Sequence, residues 1–230
     1  MAQIPTRCSC IDDCIGGGIK PQTITLIYGE PETGKTTLAM QLAVNCAIEN
    51  KKVLFIDCDN TFSAKRLSQI SGVFFDAIAD RIVLVKPKNF QEQTFLIDNI
   101  QEYITNVGLM VIDTFTSLYS VKTAESKSIT FEANRELNRQ LALLAQTTKI
   151  TKIPLVITSQ VRSVISEQLS SVRPVATRVL KFWADNILSI KPTEYPNTLK
   201  VTVEKVQQFE QRCICYIQIC ESGIKDTQIH

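Results

Sequence analysis

The sequence is short of several things, and each shortage removes a class of function. Charge imbalance is nearly absent, since 25 Lys and Arg stand against 23 Asp and Glu, a formal net charge of +2. Composition therefore carries none of the basic excess that marks a nucleic-acid-binding domain, and any such contact has to come from a local patch. No uncharged apolar run reaches the roughly 18 residues that a membrane helix needs. The first residues also lack the basic-then-apolar pattern of a secretion signal. The expectation is a cytoplasmic chain that does not engage a membrane. Internal repeats and low-complexity tracts are missing as well. The C-x₂-C spacing usual in zinc sites does not occur, although there are eight cysteines.

Six of those cysteines form two clusters, Cys8, Cys10 and Cys14 near one end and Cys213, Cys215 and Cys220 near the other. In a reducing cytosol disulfides do not persist. Cys213 and Cys215 fall on one face of an expected strand, where a free cysteine behaves as a small hydrophobe. Core packing is the expectation, with a joint zinc site as the alternative.

What is present is dominated by one stretch, Gly29-Glu30-Pro31-Glu32-Thr33-Gly34-Lys35-Thr36, followed by Thr37. It matches G-x-x-x-x-G-K-[ST], the phosphate-binding P-loop. Gly29 and Gly34 permit backbone conformations in which successive N–H groups turn inward on phosphates. Lys35 supplies a mobile point charge for the outer phosphates, and the Thr36 hydroxyl is a ligand for Mg²⁺. A β-rich run, Thr23–Tyr28, leads in, and an Ala/Leu-rich helical run leads out, so the helix N-terminus adds its positive end. The expected ligands are a nucleoside triphosphate and Mg²⁺.

At 230 residues and 44% hydrophobic content, the chain has enough apolar material for one sizeable core, and residues 1–230 are expected to form a single domain. Residues 1–20 read as a short, irregular lead-in containing Gly16-Gly17-Gly18. Strands are expected at 23–28, 53–57, 81–85, 109–113 and 153–158, and helices at 36–49, 63–70, 90–106 and 131–149. This alternation predicts an α/β fold with a mainly parallel twisted sheet flanked by helices. Three strand-like runs then follow closely, at 186–191, 198–205 and 212–220, and predict antiparallel additions at the C-terminal edge. Residues 161–177 are polar and aperiodic and read as a loop.

Open α/β sheets bind ligands beyond the carboxyl ends of their strands. Asp113 closes an apolar strand and fits the acid that organises Mg²⁺. Asp59 is a candidate to orient or deprotonate the attacking water, and Asp57 competes for that role. Gln160 ends the next strand, where its amide suits a γ-phosphate sensor.

The order of P-loop, acid after the second strand, Asp113, then Ser159-Gln160-Val161 resembles the RecA-type ATPase core. A closer resemblance is to the archaeal RadB-type recombinase paralogues, which lack the N-terminal DNA-binding domain of their relatives. It extends over nearly the whole chain, through Ile15–Ile19, Ile112–Tyr119, Val206–Arg212 and Ile217–Asp226. That resemblance implies an ATP-binding, weakly hydrolysing protein of homologous recombination and DNA repair, accessory to a main RadA-like recombinase. It implies catalytic roles for Lys35, Asp59 and Gln160. It also implies that residues 115–130 and 161–177 face single-stranded DNA, through Tyr119, Lys122, Lys127, Arg162, Arg173 and Arg178. Cations with an aromatic for stacking are the ingredients of such a surface.

Cores of this type commonly bind ATP between protomers of a homo-oligomer, which makes Lys200 and Lys205 candidates to act on a neighbour's γ-phosphate. Three departures stand out. Asp59-Asn60 replaces the usual Glu-Gly, a carboxylate one methylene shorter. Ser159 replaces an Asn before Gln160, and Ser120 follows Tyr119 where related chains carry Arg. The alternatives are a circadian-clock-type (KaiC-like) regulatory ATPase, which shares the core, and a non-enzymatic partner module switched by ATP.

Overall fold

The computed structural model describes residues 2–125, 127–160, 173–207 and 209–227. In chain order the elements are α1 (Ser9–Ile15), β1 (Ile24–Gly29), α2 (Lys35–Ile48), β2 (Lys52–Asp57), α3 (Ala64–Ser71), α4 (Phe75–Ile78) and β3 (Ile82–Val85). They continue with α5 (Phe90–Asp98), β4 (Val107–Asp113), α6 (Ser117–Glu125), α7 (Lys127–Thr151), β5 (Leu155–Gln160) and α8 (Arg173–Trp183). The chain then ends in β6 (Asn186–Pro192), β7 (Thr198–Val206), β8 (Phe209–Cys220) and β9 (Gly223–Asp226).

The nine strands among the described residues join one sheet in the order β3-β2-β4-β5-β1-β6-β7-β8-β9. The first six in that order are parallel, and β7, β8 and β9 extend the edge antiparallel. Because side chains alternate along a strand, each buried strand feeds two cores. On one face Ile27, Phe55, Val111, Val156 and Leu188 pack with α1 and α2. On the other, Leu26, Leu54, Ile56, Ile112 and Ile157 pack with α5, α6, α7 and α8. Capping follows the side chains available: Ser63 accepts from the Arg66 N–H at 3.2 Å to open α3, and Asn89 accepts from the Glu92 N–H at 2.9 Å to open α5.

Four features depart from the reading of the sequence. First, β6 is not an antiparallel addition; it pairs parallel with β1. A parallel neighbour requires a crossover connection, and α8, which begins inside the stretch read as a loop, supplies one. Second, the lead-in contains α1. Third, residues 117–125 and those from 127 onward are helical rather than an open loop. Their Ser- and Thr-rich sequence has modest helix propensity, and the helix is stabilised by tertiary packing. Within it, Tyr119 meets Phe90 edge-on with ring centroids 6.0 Å apart. Fourth, the cysteine clusters pack in the core as expected, but four of their cysteines are paired across the two clusters and are not free. Cys10 lies against Cys215 and Cys14 against Cys213 as disulfide-type pairs, with Cα separations of 5.7 and 5.9 Å. Cys8, Cys46, Cys58 and Cys220 are free thiols.

Buried Gln41 of α2 ties the two chain ends together. Its amide donates to the carbonyls of Thr6 (2.6 Å) and Ile224 (3.1 Å) and accepts from the Ile224 N–H (2.7 Å). Among the described residues no helix is long and apolar enough to cross a membrane.

Candidate nucleotide-binding site

Register brings the predicted residues to one end of the sheet. Gly29 pairs with Gln160 on one side and Ile190 on the other, and Asp57 pairs with Asp113. The carboxyl ends of β1, β2, β4, β5 and β6 are therefore level, and the P-loop rises from their middle.

The loop's glycines answer to neighbours that the sequence alone could not name. A Cβ on Gly29 would collide with the Ile190 carbonyl of β6. Gly34 has φ of +76°, a left-handed conformation, and a Cβ there would meet Ile219 of β8 at 2.7 Å. Glu30, Pro31 and Glu32 are exposed, whereas Thr33 is buried and donates to the Glu30 carbonyl at 2.8 Å. Thr36 and Thr37 are half-buried at the start of α2. Lys35 is buried, and its ammonium donates to the Glu30 carbonyl and reaches Thr33 Oγ1 at 3.4 Å. Burial pulls its pKa down, while Asp113 and Asp59 oppose that shift. The side chain is thus a partly desolvated cation facing two carboxylates.

Asp113 is fully buried. Thr158 of β5 donates to its Oδ1, and among the described residues Oδ2 has no hydrogen-bond partner. Burial raises the Asp113 pKa; the Thr158 and Thr36 hydroxyls beside it pull the other way, and Asp59 and Asp57 add to the rise. An unpartnered buried carboxylate oxygen next to the P-loop threonine is costly unless something fills the gap. The donor set, a hydroxyl and a carboxylate oxygen, is one that Mg²⁺ accepts together with phosphate oxygens. The residues fit that ion.

The structure also separates the two acids that periodicity could not rank. Asp57 is buried, and its carboxylate accepts the N–H groups of Thr61 and Phe62, both at 3.0 Å. It also pairs with Lys86 at 3.3 Å. Its oxygens hold the turn after β2. Asp59 is half-exposed, and its charge is felt by both Lys35 and Asp113. Gln160 is exposed beside the first residue of the P-loop.

Among the described side chains assigned to DNA, Tyr119 does not lie on an open surface. Tyr119 is 2% exposed and donates its hydroxyl to Asn134 Oδ1, so its ring is a core element and cannot stack on a base in this conformation. Lys122 is half-buried on α6, Lys127 begins α7, and Arg178 is exposed on α8. Arg173 is the first residue of α8, and Arg162 lies outside the described residues. Of the stretch 161–177, only 173–177 falls within them, as helix.

Lys200 and Lys205 sit towards opposite ends of β7. Lys200 pairs with Lys191 near the P-loop end, whereas Lys205 pairs with Ile187 at the far end and donates to the Ala184 carbonyl at 2.6 Å. Lys205 is committed to closing α8. One residue beside the candidate site escaped the reading of the sequence: Thr158 donates to Asp113. Behind the P-loop strand Lys181 bridges to Glu204 and to the Tyr28 hydroxyl, each at 2.8 Å. A hydroxyl one strand over from an acid leaves no trace in linear spacing.

Comparison with known proteins gives a consistent picture. A family model described as Rad51 matches residues 1–227. The DNA repair and recombination protein RadB of Methanothermobacter thermautotrophicus is 34% identical over 199 residues, spanning 84% of this chain and 83% of that protein. RadB of Methanobrevibacter smithii is 30% identical over 227 residues, with 96% and 95% covered. A crystal structure of the RadB recombinase superposes with a TM-score of 0.80 at 27% identity, over 98% of this chain and all of that one. With a RecA-like sheet, a complete P-loop and this kinship along its length, the chain belongs to the Rad51 family, and its relatives there are RadB proteins.

Proposed function

We propose that the protein binds Mg²⁺–ATP, hydrolyses it slowly, and serves DNA recombination and repair as an accessory to the main strand-exchange recombinase. The observation that carries this reading is the unpartnered Oδ2 of Asp113 beside the P-loop, in a chain whose relatives are named for DNA repair and recombination. Thr36 and Asp113 would hold Mg²⁺, which would supply charge to offset that of the outer phosphates. Lys35 holds the same phosphates as a point charge. Asp59 orients the attacking water and accepts its proton, and its short side chain keeps turnover low. Gln160, level with Gly29, bonds the γ-phosphate and changes partner when that group leaves.

Binding to single-stranded DNA falls to the cations of α6, α7 and α8, Lys122, Lys127, Arg173 and Arg178, with Arg162, and not to Tyr119. A homo-oligomer that shares ATP between copies would use Lys200, whose cross-strand neighbour Lys191 has the same charge. Two like charges directly opposite are unfavourable, and an anion from the next protomer relieves them. The Rad51 family match speaks for this reading over the clock-type regulator.

The test is the ATPase rate with and without single-stranded DNA across a salt series, with Lys35→Ala as control. DNA binding that falls steeply with salt and turnover lost in Lys35→Ala support the proposal. Absence of DNA binding at low salt overturns the recombination role. Normal ATP affinity and turnover in Lys35→Ala overturn the nucleotide site.

A further inference from the structure

The four cysteines that join the chain ends have no part in nucleotide or DNA chemistry. Cys10 and Cys14 stand four residues apart on α1, so both sulfurs leave the same helix face. Cys213 and Cys215 alternate on β8, so both point to the same side of the sheet. Helix and strand pack together, and the four thiols enter one volume: Cys10 meets Cys215, Cys14 meets Cys213, and Cys14 Sγ also lies 3.6 Å from Cys215 Sγ. The sulfurs of Cys10, Cys14 and Cys215 all fall within 4.8 Å of one another.

We propose that Cys10, Cys14, Cys213 and Cys215 form a four-thiolate site for a single zinc ion, which joins the N-terminal helix to the C-terminal strands. Four thiolates about Zn²⁺ at about 2.3 Å place sulfurs roughly 3.8 Å apart along each tetrahedral edge, the scale of the Cys14–Cys215 contact. The two pairs lie side by side, since Cys14 and Cys215 belong to different pairs and still approach each other, so in the reduced state one tetrahedral ion can take all four sulfurs at once. Soft sulfur donors without carboxylate or imidazole select zinc over magnesium or calcium. The compartment that supplies ATP and DNA is reducing, and there a cysteine cluster holds a metal in preference to disulfides. Cys10-x₃-Cys14 lies within the spacing that helical zinc ligands use.

Such an ion would act on the fold where the nucleotide site needs support. It links residues 205 positions apart in sequence. It also anchors β8, whose Ile219 packs against Gly34 of the P-loop. Nearby Asp226 accepts the N–H groups of Ser9 (2.6 Å) and Cys10 (3.2 Å), so β9 already holds the start of α1 in place. Cys8 and Cys220 stay outside the tetrad; Cys8 donates to the Ile224 carbonyl at 3.5 Å.

The test begins with the unaltered protein, purified with reductant and without chelator. Metal content by mass spectrometry is expected at one zinc per chain. Replacement by Co²⁺ is expected to give the intense thiolate-to-metal charge-transfer absorption of a four-sulfur site. Cys10→Ser and Cys213→Ser are each expected to lose the metal and lower the Tm, and Cys220→Ser to retain both. Metal-free protein with eight alkylatable thiols overturns the proposal. So does metal-free protein in which four cysteines resist alkylation until reduced, because that result makes them two disulfides. Both of those readings come from the wild-type chain and do not depend on whether a variant folds.

Discussion

Thr158 donates its hydroxyl hydrogen to Oδ1 of Asp113, while Oδ2 of the same buried carboxylate has no hydrogen-bond partner among the described residues. One oxygen is fixed by Thr158, and the P-loop threonine Thr36 lies beside the carboxylate. The geometry holds the acid in a single orientation at the cost of a buried charge.

That cost sets a pH dependence. Burial raises the Asp113 pKa, so the folded chain holds this proton more tightly than the unfolded chain does. The destabilisation from its charge is fully present above the raised pKa and is relieved as pH falls through it. Mg²⁺ competes with the same proton. Affinity for Mg²⁺–ATP, measured by calorimetry, should therefore weaken as pH drops through a window above the ordinary carboxylate range. Thr158→Val removes a hydrogen bond that lowers this pKa and should move the window to higher pH. Asp113→Asn should cost at least about tenfold in Mg²⁺-dependent nucleotide affinity, roughly 1.4 kcal/mol, and should not lower the Tm of the nucleotide-free protein.

Asp59 is the acid without a structural duty, because Asp57 is spent on the N–H groups of Thr61 and Phe62. Asp59→Asn should lower kcat by about 10²-fold or more with little change in KM for ATP. Asp59→Glu restores the missing methylene and should raise kcat. An Asp59→Glu enzyme no faster than the parent would mark the chain as an ATP-switched module, not an attenuated catalyst. Asp57→Asn, by contrast, should appear first as lost stability in a thermal melt.

Tyr119 offers a discriminating test of where DNA binds. Its ring is in the core and its hydroxyl bonds Asn134. Tyr119→Phe should cost about 0.5–1.5 kcal/mol of stability, a few degrees in Tm for a chain of this size. Affinity for single-stranded DNA should stay within about twofold, since phosphate contacts dominate it. A large loss of DNA affinity without a change in Tm would return the ring to the interface.

Lys200 and Lys205 should part company in kinetics. Lys200→Ala should lower turnover only at protein concentrations where protomers associate. Lys205→Ala removes the bond to the Ala184 carbonyl and should lower Tm without that concentration dependence. Turnover against enzyme concentration, read beside sedimentation, separates the two.

Much of the parallel core was legible because its signals are local. Five apolar strands alternating with amphipathic helices give βαβ units, and Gly29 to Thr36 is a contiguous motif that can be recognised without any distant residue. Asp113 could be read from its place at the end of an apolar run. The misreadings cluster where a segment's structure depends on what it packs against. Residues 117–125 are Ser- and Thr-rich and become helical against Phe90 and Asn134. The strand at 186–192 looked like the first of three hairpin strands, yet α8 turns it into a parallel neighbour of β1.

Sequence by itself thus determined the P-loop motif, the acid that closes β4 and the class of fold. Each depends on the residue types in one short window. Tertiary structure alone decided which of Asp57 and Asp59 is free for chemistry, which oxygen of Asp113 is open, and that Tyr119 is buried. It alone brought Cys10 and Cys14 to Cys213 and Cys215. Those outcomes depend on register and on packing between segments up to about two hundred residues apart, a distance that no local pattern encodes.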